Sequence, residues 1–155
     1  MALIDQLNRF IRKKSSFLIL SGYSFNDGHL NDTIINALKA NPTAMVLGLM
    51  YERYEIISDG DEHVERYPAA YRWAKNQHNL NVWTFYKAII GTNLGTWNRA
   101  QTKDDDDVDL LNFICNDKKT DDSGDLKSQI KLGDFSVLTD FLKKIIGSPK
   151  EGQNV

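Results

Sequence analysis

Ser16-Phe17-Leu18-Ile19-Leu20-Ser21-Gly22, then Leu30, Ile34, Ile35 and Leu38, then Asn41-Pro42, then Ala44-Met45-Val46-Leu47-Gly48-Leu49-Met50: the fold is decided in this stretch. The first run is short, apolar and closed by glycine, the pattern of a strand buried on both faces of a parallel sheet. The next four residues have helical spacing, and the helix stops at Asn41 because proline disfavours helical geometry in the residue before it. Ala44 to Met50 is a second continuous apolar strand. Together they make a β-α-β unit, which argues for an α/β fold with a right-handed crossover.

Upstream, Leu3, Ile4, Leu7, Phe10 and Ile11 recur with a period near 3.6, so residues 2–14 are expected as an amphipathic helix with one buried stripe. Arg9, Arg12, Lys13 and Lys14 close it, where cations complement the helix dipole. Downstream, Tyr51 to Val64 reads as a surface excursion with a turn at Asp59-Gly60-Asp61. Residues 68–78 suit a helix opened by Pro68. Val82 to Tyr86 reads as a third strand, and 91–98 as a loop or bulged strand edge. Phe135, Leu138, Phe141, Leu142, Ile145 and Ile146 form the cleanest amphipathic helix, ended by Gly147 and Pro149. Residues 1–147 are therefore expected as one domain portion of three or four strands, and 148–155 as a disordered tail.

The 155 residues, 41% apolar and 26% charged, have the usage of one globular domain. The 19 Lys and Arg against 21 Asp and Glu leave a charge of −2, which gives no global reason to expect direct nucleic-acid binding. The segment 102–125 holds nine Asp and three Lys. It is expected as solvated loops around a short element at Val108 to Cys115, because such a charge run cannot pack without partners. It lacks the alternating order of a calcium loop, and no metal site is assigned. The single cysteine, Cys115, excludes an intrachain disulfide. The longest apolar runs fall far short of the about 18 residues that span a bilayer, so no membrane partner is expected and the chain is read as soluble and cytoplasmic.

The chemistry-bearing segment is Ser21-Gly22-Tyr23-Ser24-Phe25-Asn26-Asp27-Gly28-His29-Leu30-Asn31, at a strand-to-helix junction where open α/β sheets bind ligands. Gly22 allows close backbone approach, and Asn26 or Asp27 can cap the helix. Free amides at a helix start attract anions, but Asp27 would oppose one, so a ribose hydroxyl or a plain cap suits it better. The plainer account makes Gly22 a turn residue, Ser24 and Asp27 caps, Tyr23 and Phe25 packing, and His29 a surface residue. Gly22-Tyr23-Ser24 also matches part of a nucleophile elbow, with Ser24 as nucleophile and His63 or His78 as base, but Asn26 stands where that elbow needs glycine. His63-Val64-Glu65 has no P-C-x-x-C partner for zinc chemistry. Trp73, Trp83 and Trp97 are expected in packing rather than in base stacking.

Leu18 to Asn31, continuing to Ile34-Ile35 and Asn41-Pro42, resembles the G-Y-S-F-x-D-x-H-[IL]-N motif of the sirtuin-like domain family, which includes NAD-consuming bacterial antiphage-defence effectors. Leu132-Gly133-Asp134-Phe135 resembles the closing segment of such domains, so the likeness runs over about residues 3–147 and is densest at 18–42. The resemblance implies a Rossmann-like partial parallel sheet flanked by helices and lacking the first β-α units of the full domain, and NAD as ligand or substrate, with Gly22, Tyr23, Ser24 and Phe25 lining the nucleotide site and Asp27 and His29 contributing. In the family the glycine-rich phosphate loop and the catalytic Asn and His precede this motif, and only about 15 residues precede it here. The resemblance thus implies a C-terminal, truncated or split portion with no catalytic residue, whose partner is a complementary N-terminal sirtuin-like segment or a second copy of the chain. The alternatives are a non-enzymatic scaffold module using an exposed sheet edge, and a small hydrolase using Ser24.

Overall fold

The computed structural model describes residues 2–57, 63–97, 114–120 and 126–147. Helix α1 (Ala2–Ile11) leads into β1 (Phe17–Ser21), α2 (Gly28–Ala40) and β2 (Met45–Leu49). There follow β3 (Glu55–Ile57), β4 (His63–Glu65), α3 (Pro68–Asn76), β5 (Leu80–Trp83), β6 (Lys87–Ile90) and β7 (Asn93–Thr96). β8 (Ile114–Thr120), β9 (Leu126–Ile130) and α4 (Phe135–Ile146) complete the described elements.

The main sheet has the order β1-β2-β5-β6-β7. β1, β2 and β5 are parallel, in the register Ser21 to Leu49 to Trp83, whereas β5-β6 and β6-β7 are antiparallel. The fold is therefore α/β with a mixed, open, Rossmann-like sheet. Side chains alternate across it as period two requires. Leu18, Leu20, Val46, Leu80 and Val82 face a core shared with α1, α2 and α3, and Ile19, Leu47, Leu49 and Trp83 face α4. Because β1, β2 and β5 succeed one another in one direction, right-handed crossovers put α2 and α3 on the same face.

Several expectations change for physical reasons. β2 is buried from Val46 to Leu49, but among the described residues β1 has a neighbour on one side only, and Phe17 is 51% exposed. The first helix stops at Ile11 rather than at 14, because Ser16 Oγ and Asn41 Nδ2 donate to the Ile11 carbonyl at 2.9 and 2.7 Å, and Ser15 turns at φ +57°. Its apolar stripe is only partly covered: Ile11 is buried, whereas Leu3 and Phe10 are exposed. The third strand lies at 80–83, since Thr84 Oγ1 bonds Lys87 and turns the chain back into β6. Residues 91–98 include strand β7, joined to β6 through Gly91 and Thr92, both at positive φ as a tight hairpin turn demands. The excursion after β2 carries the antiparallel pair β3-β4, with its expected turn outside the described residues. The aspartates 104–107 and the tail 148–155 also lie outside the described residues, while β8 and β9 pair antiparallel. No helix among the described residues is long and apolar enough to cross a membrane.

Two close approaches fix the packing. A Cβ on Gly48 would sit 3.0 Å from the Phe25 ring, so glycine leaves the room that this ring fills. A Cβ on Gly133 would lie 1.9 Å from the Met50 carbonyl oxygen, so only glycine lets the start of α4 press against the exit of β2. At the opposite end of the sheet the buried Asn79 amide donates to the carbonyls of Leu38, Asn41 and Ala44 at 3.2, 3.3 and 3.0 Å. Asn79→Ala is expected to lower the unfolding free energy by about 1–3 kcal/mol, the cost of leaving the Ala44 carbonyl without its donor while the Leu38 and Asn41 carbonyls keep the amides of Asn41 and Ala44, as read by urea denaturation.

Candidate functional site

The turn between β1 and α2 lies at the carboxyl end of the parallel strands. Gly22 is exposed at φ +76°, and nothing lies within 4 Å of where its Cβ would stand. A positive φ favours glycine, and the open space lets another molecule approach the backbone. Ser24 Oγ accepts from Asn26 Nδ2 at 3.0 Å. Asp27 is the helix cap: its Oδ1 accepts from Leu30 N–H at 3.0 Å, and its second carboxylate oxygen takes no hydrogen bond from the described residues. His29 is exposed in the first turn of α2.

Tyr23 and Phe25 hold this turn from beneath. Tyr23 OH donates toward Asn31 Oδ1 at 2.7 Å and lies 3.2 Å from the Asp27 carbonyl. Asn31, itself buried, donates to the Phe25 carbonyl at 2.8 Å. Burial, and then the Asp27 charge, raises the Tyr23 hydroxyl above its ordinary value, so it stays a donor. Phe25, 1% exposed, puts its ring into the core 4.8 Å from Tyr23. The turn thus presents Gly22, Ser24, Asp27 and His29 outward, while the Phe25 ring packs inside.

Ser24 has no histidine partner among the described side chains. His78 precedes β5 and so lies at the amino end of the strands, opposite Ser24, and the His63 side chain lies outside the described residues. Trp83 and Trp97 pack edge to face at 5.1 Å, and Trp97 Nε1 donates to the Thr84 carbonyl at 2.9 Å.

A second group at the same end of the sheet escapes the motif reading. The exits of β2 and β5 carry Tyr51, Arg53, Tyr54, Phe85 and Tyr86. Phe85 N–H donates to the Glu52 carbonyl at 3.0 Å, and Tyr67 OH to the Tyr51 carbonyl at 2.7 Å. Tyr54 stacks on Tyr71 at 3.6 Å, with Lys87 Nζ 6.0 Å from the Tyr54 ring centre. Lys87 pairs with Glu55, and Arg66 with Glu52. The signal in the sequence is the cation set between tyrosines, Tyr51-Glu52-Arg53-Tyr54, directly after an apolar strand.

Burial raises both stacked tyrosines, Tyr71 to about 12 and Tyr54 well above its ordinary value with help from Glu65. A phenol raised in the folded state keeps its contribution to stability below the unfolded value near 10 and loses it as pH climbs through the folded value. Tyrosinate absorbance is therefore expected to leave Tyr54 and Tyr71 un-ionised at pH 11, and stability is expected to fall between pH 10 and about 12. Compared with known proteins, the chain matches no family model and no curated protein.

Proposed function

We propose that the chain is a portion of a sirtuin-like NAD-binding and NAD-hydrolysing domain of the bacterial antiphage-defence type, supplying one wall of the nucleotide site without a catalytic residue of its own. The observation that carries the reading is Gly22, held open at positive φ at the carboxyl end of a parallel strand and followed by a capped helix. The G-Y-S-F-x-D-x-H-L-N run supports it. The turn also passes a chemical test for NAD in part. Gly22 admits close backbone contact, and the unused Asp27 oxygen can accept from a ribose hydroxyl. The pyrophosphate finds no Lys or Arg between 21 and 32, so its charge must be met from elsewhere.

The edge of β1 supports a complementary segment as partner. Met45 N–H bonds the Ser16 carbonyl, so by ladder alternation Leu18 and Leu20 also point to β2, while the backbone groups of Phe17, Ile19 and Ser21 point to the open side. A strand from an N-terminal sirtuin-like polypeptide adding there would extend the sheet. A second reading, an interaction module that pairs copies of the chain, draws on the same edge and on the exposed Leu3 and Phe10 of α1.

Calorimetric titration with NAD is expected to detect binding without NAD consumption, and Gly22→Val to weaken it by at least about tenfold, 1.4 kcal/mol. A thermal melt of the variant separates lost binding from lost folding. NAD turnover by these residues alone would sink the non-catalytic portion, and stable oligomers with no NAD binding would favour the interaction module.

A further inference from the structure

The segment 21–32 carries two carboxylates, Asp27 and Asp32, and no Lys or Arg. A pyrophosphate there needs a cation from a neighbouring element. Three cations lie on the segment leaving β2, the segment after β4 and the start of β6: Arg53, Arg66 and Lys87. Arg66 and Lys87 are neutralised by Glu52 and Glu55. Arg53 is exposed and makes no ion pair among the described residues. Its guanidinium lies 5.1 Å from the centre of the Tyr86 ring.

Arg53 is also held in place on both sides. Before it, Glu52 sits at φ +62°, its carbonyl taken by Phe85 and its carboxylate by Arg66. After it, Tyr54 is stacked on Tyr71. A guanidinium held over an aromatic ring by cation–π attraction keeps N–H groups available for the paired oxygens of a phosphate. By the sheet register, the exits of β1, β2 and β5 are neighbours, so Gly22 and the exit of β5 are about 10 Å apart across two strand spacings. A dinucleotide bridges that span.

We infer that Arg53, braced on Tyr86, is the diphosphate-binding residue of this site, serving a ligand whose nucleoside lies at the Gly22 turn. The inference rests on the NAD reading. It assigns the charge recognition that the turn cannot supply, and it makes the ligand class a nucleoside diphosphate derivative.

The test compares ADP-ribose, NAD and adenosine on the full chain and on Arg53→Gln and Arg53→Lys, by calorimetric titration at two salt concentrations, with thermal melts to verify folding. Arg53→Gln is expected to weaken ADP-ribose and NAD by about tenfold or more and adenosine by less than about twofold. Arg53→Lys is expected to fall between, because a point charge replaces a planar fork. The salt dependence of ADP-ribose binding should shrink in Arg53→Gln. Equal weakening of all three ligands would make Arg53 a structural support and overturn the inference. So would unchanged ADP-ribose binding, with the NAD reading left standing. Failure of the unaltered chain to bind any of the three removes that reading and the inference together.

Discussion

The parallel half of the sheet depends on one buried amide. Asn79 ties the end of α2, the turn that follows it and the start of β2 to the start of β5 through three carbonyls. Asn41 does the same one layer out, donating to the Ile11 and Lys13 carbonyls at the end of α1 while its own oxygen accepts from Thr43. Backbone carbonyls at helix ends have no partner within the helix. Here asparagines meet them, and in doing so they set where each strand begins. Once the amino ends are pinned, the parallel register brings Ser21, Leu49 and Trp83 level at the exits of β1, β2 and β5. The polar amino end of the sheet is thus what aligns the end that carries the β1-α2 turn.

At the exits, charge is distributed unevenly. Two helices begin there, α2 on one face of the sheet and α4 on the other, and both are capped by aspartate. Asp27 and Asp134 satisfy amide groups that would otherwise draw an anion, and hydrogen bonds from Ser136 hold the Asp134 carboxyl below its usual range. Helix dipoles are thus consumed by the protein itself. Attraction for a negative ligand then has to come from side-chain cations, and the ion pairs of Arg66 and Lys87 leave Arg53 as the cation of that group with its charge to spare.

Much of this was legible in sequence, for identifiable reasons. Ser16 to Gly22 and Ala44 to Met50 read as apolar strands, although only the second is buried, and Pro42 and Gly147 stop their helices within a residue or two of where the structure ends them. β6 was hidden because Val82 to Tyr86 reads as one aromatic strand. Its break depends on a partner distant in sequence, the Glu52 carbonyl, to which the Phe85 amide turns. The hairpin at Gly91-Thr92 lacks the usual asparagine or aspartate signal. In the candidate site, the caps and the glycine were readable from residue type. The inward ring of Phe25 was not, because it depends on the space left by Gly48, and neither was the stack of Tyr54 on Tyr71.

Phe25 explains how the turn keeps its shape. A phenylalanine at φ +61° is strained, at a cost of order 1–3 kcal/mol. Burying its ring beside Gly48 returns about 1.5–3 kcal/mol, so the strain is offset inside the turn itself. Tyr23 and Asn31 then lock the same residues through hydrogen bonds that do not involve Gly22, Ser24 or His29. The outward groups are therefore fixed by inward ones, and a ligand reaching Gly22 meets a backbone already in shape. A turn fixed in this way would spare a binding partner the ordering cost that a loose loop exacts.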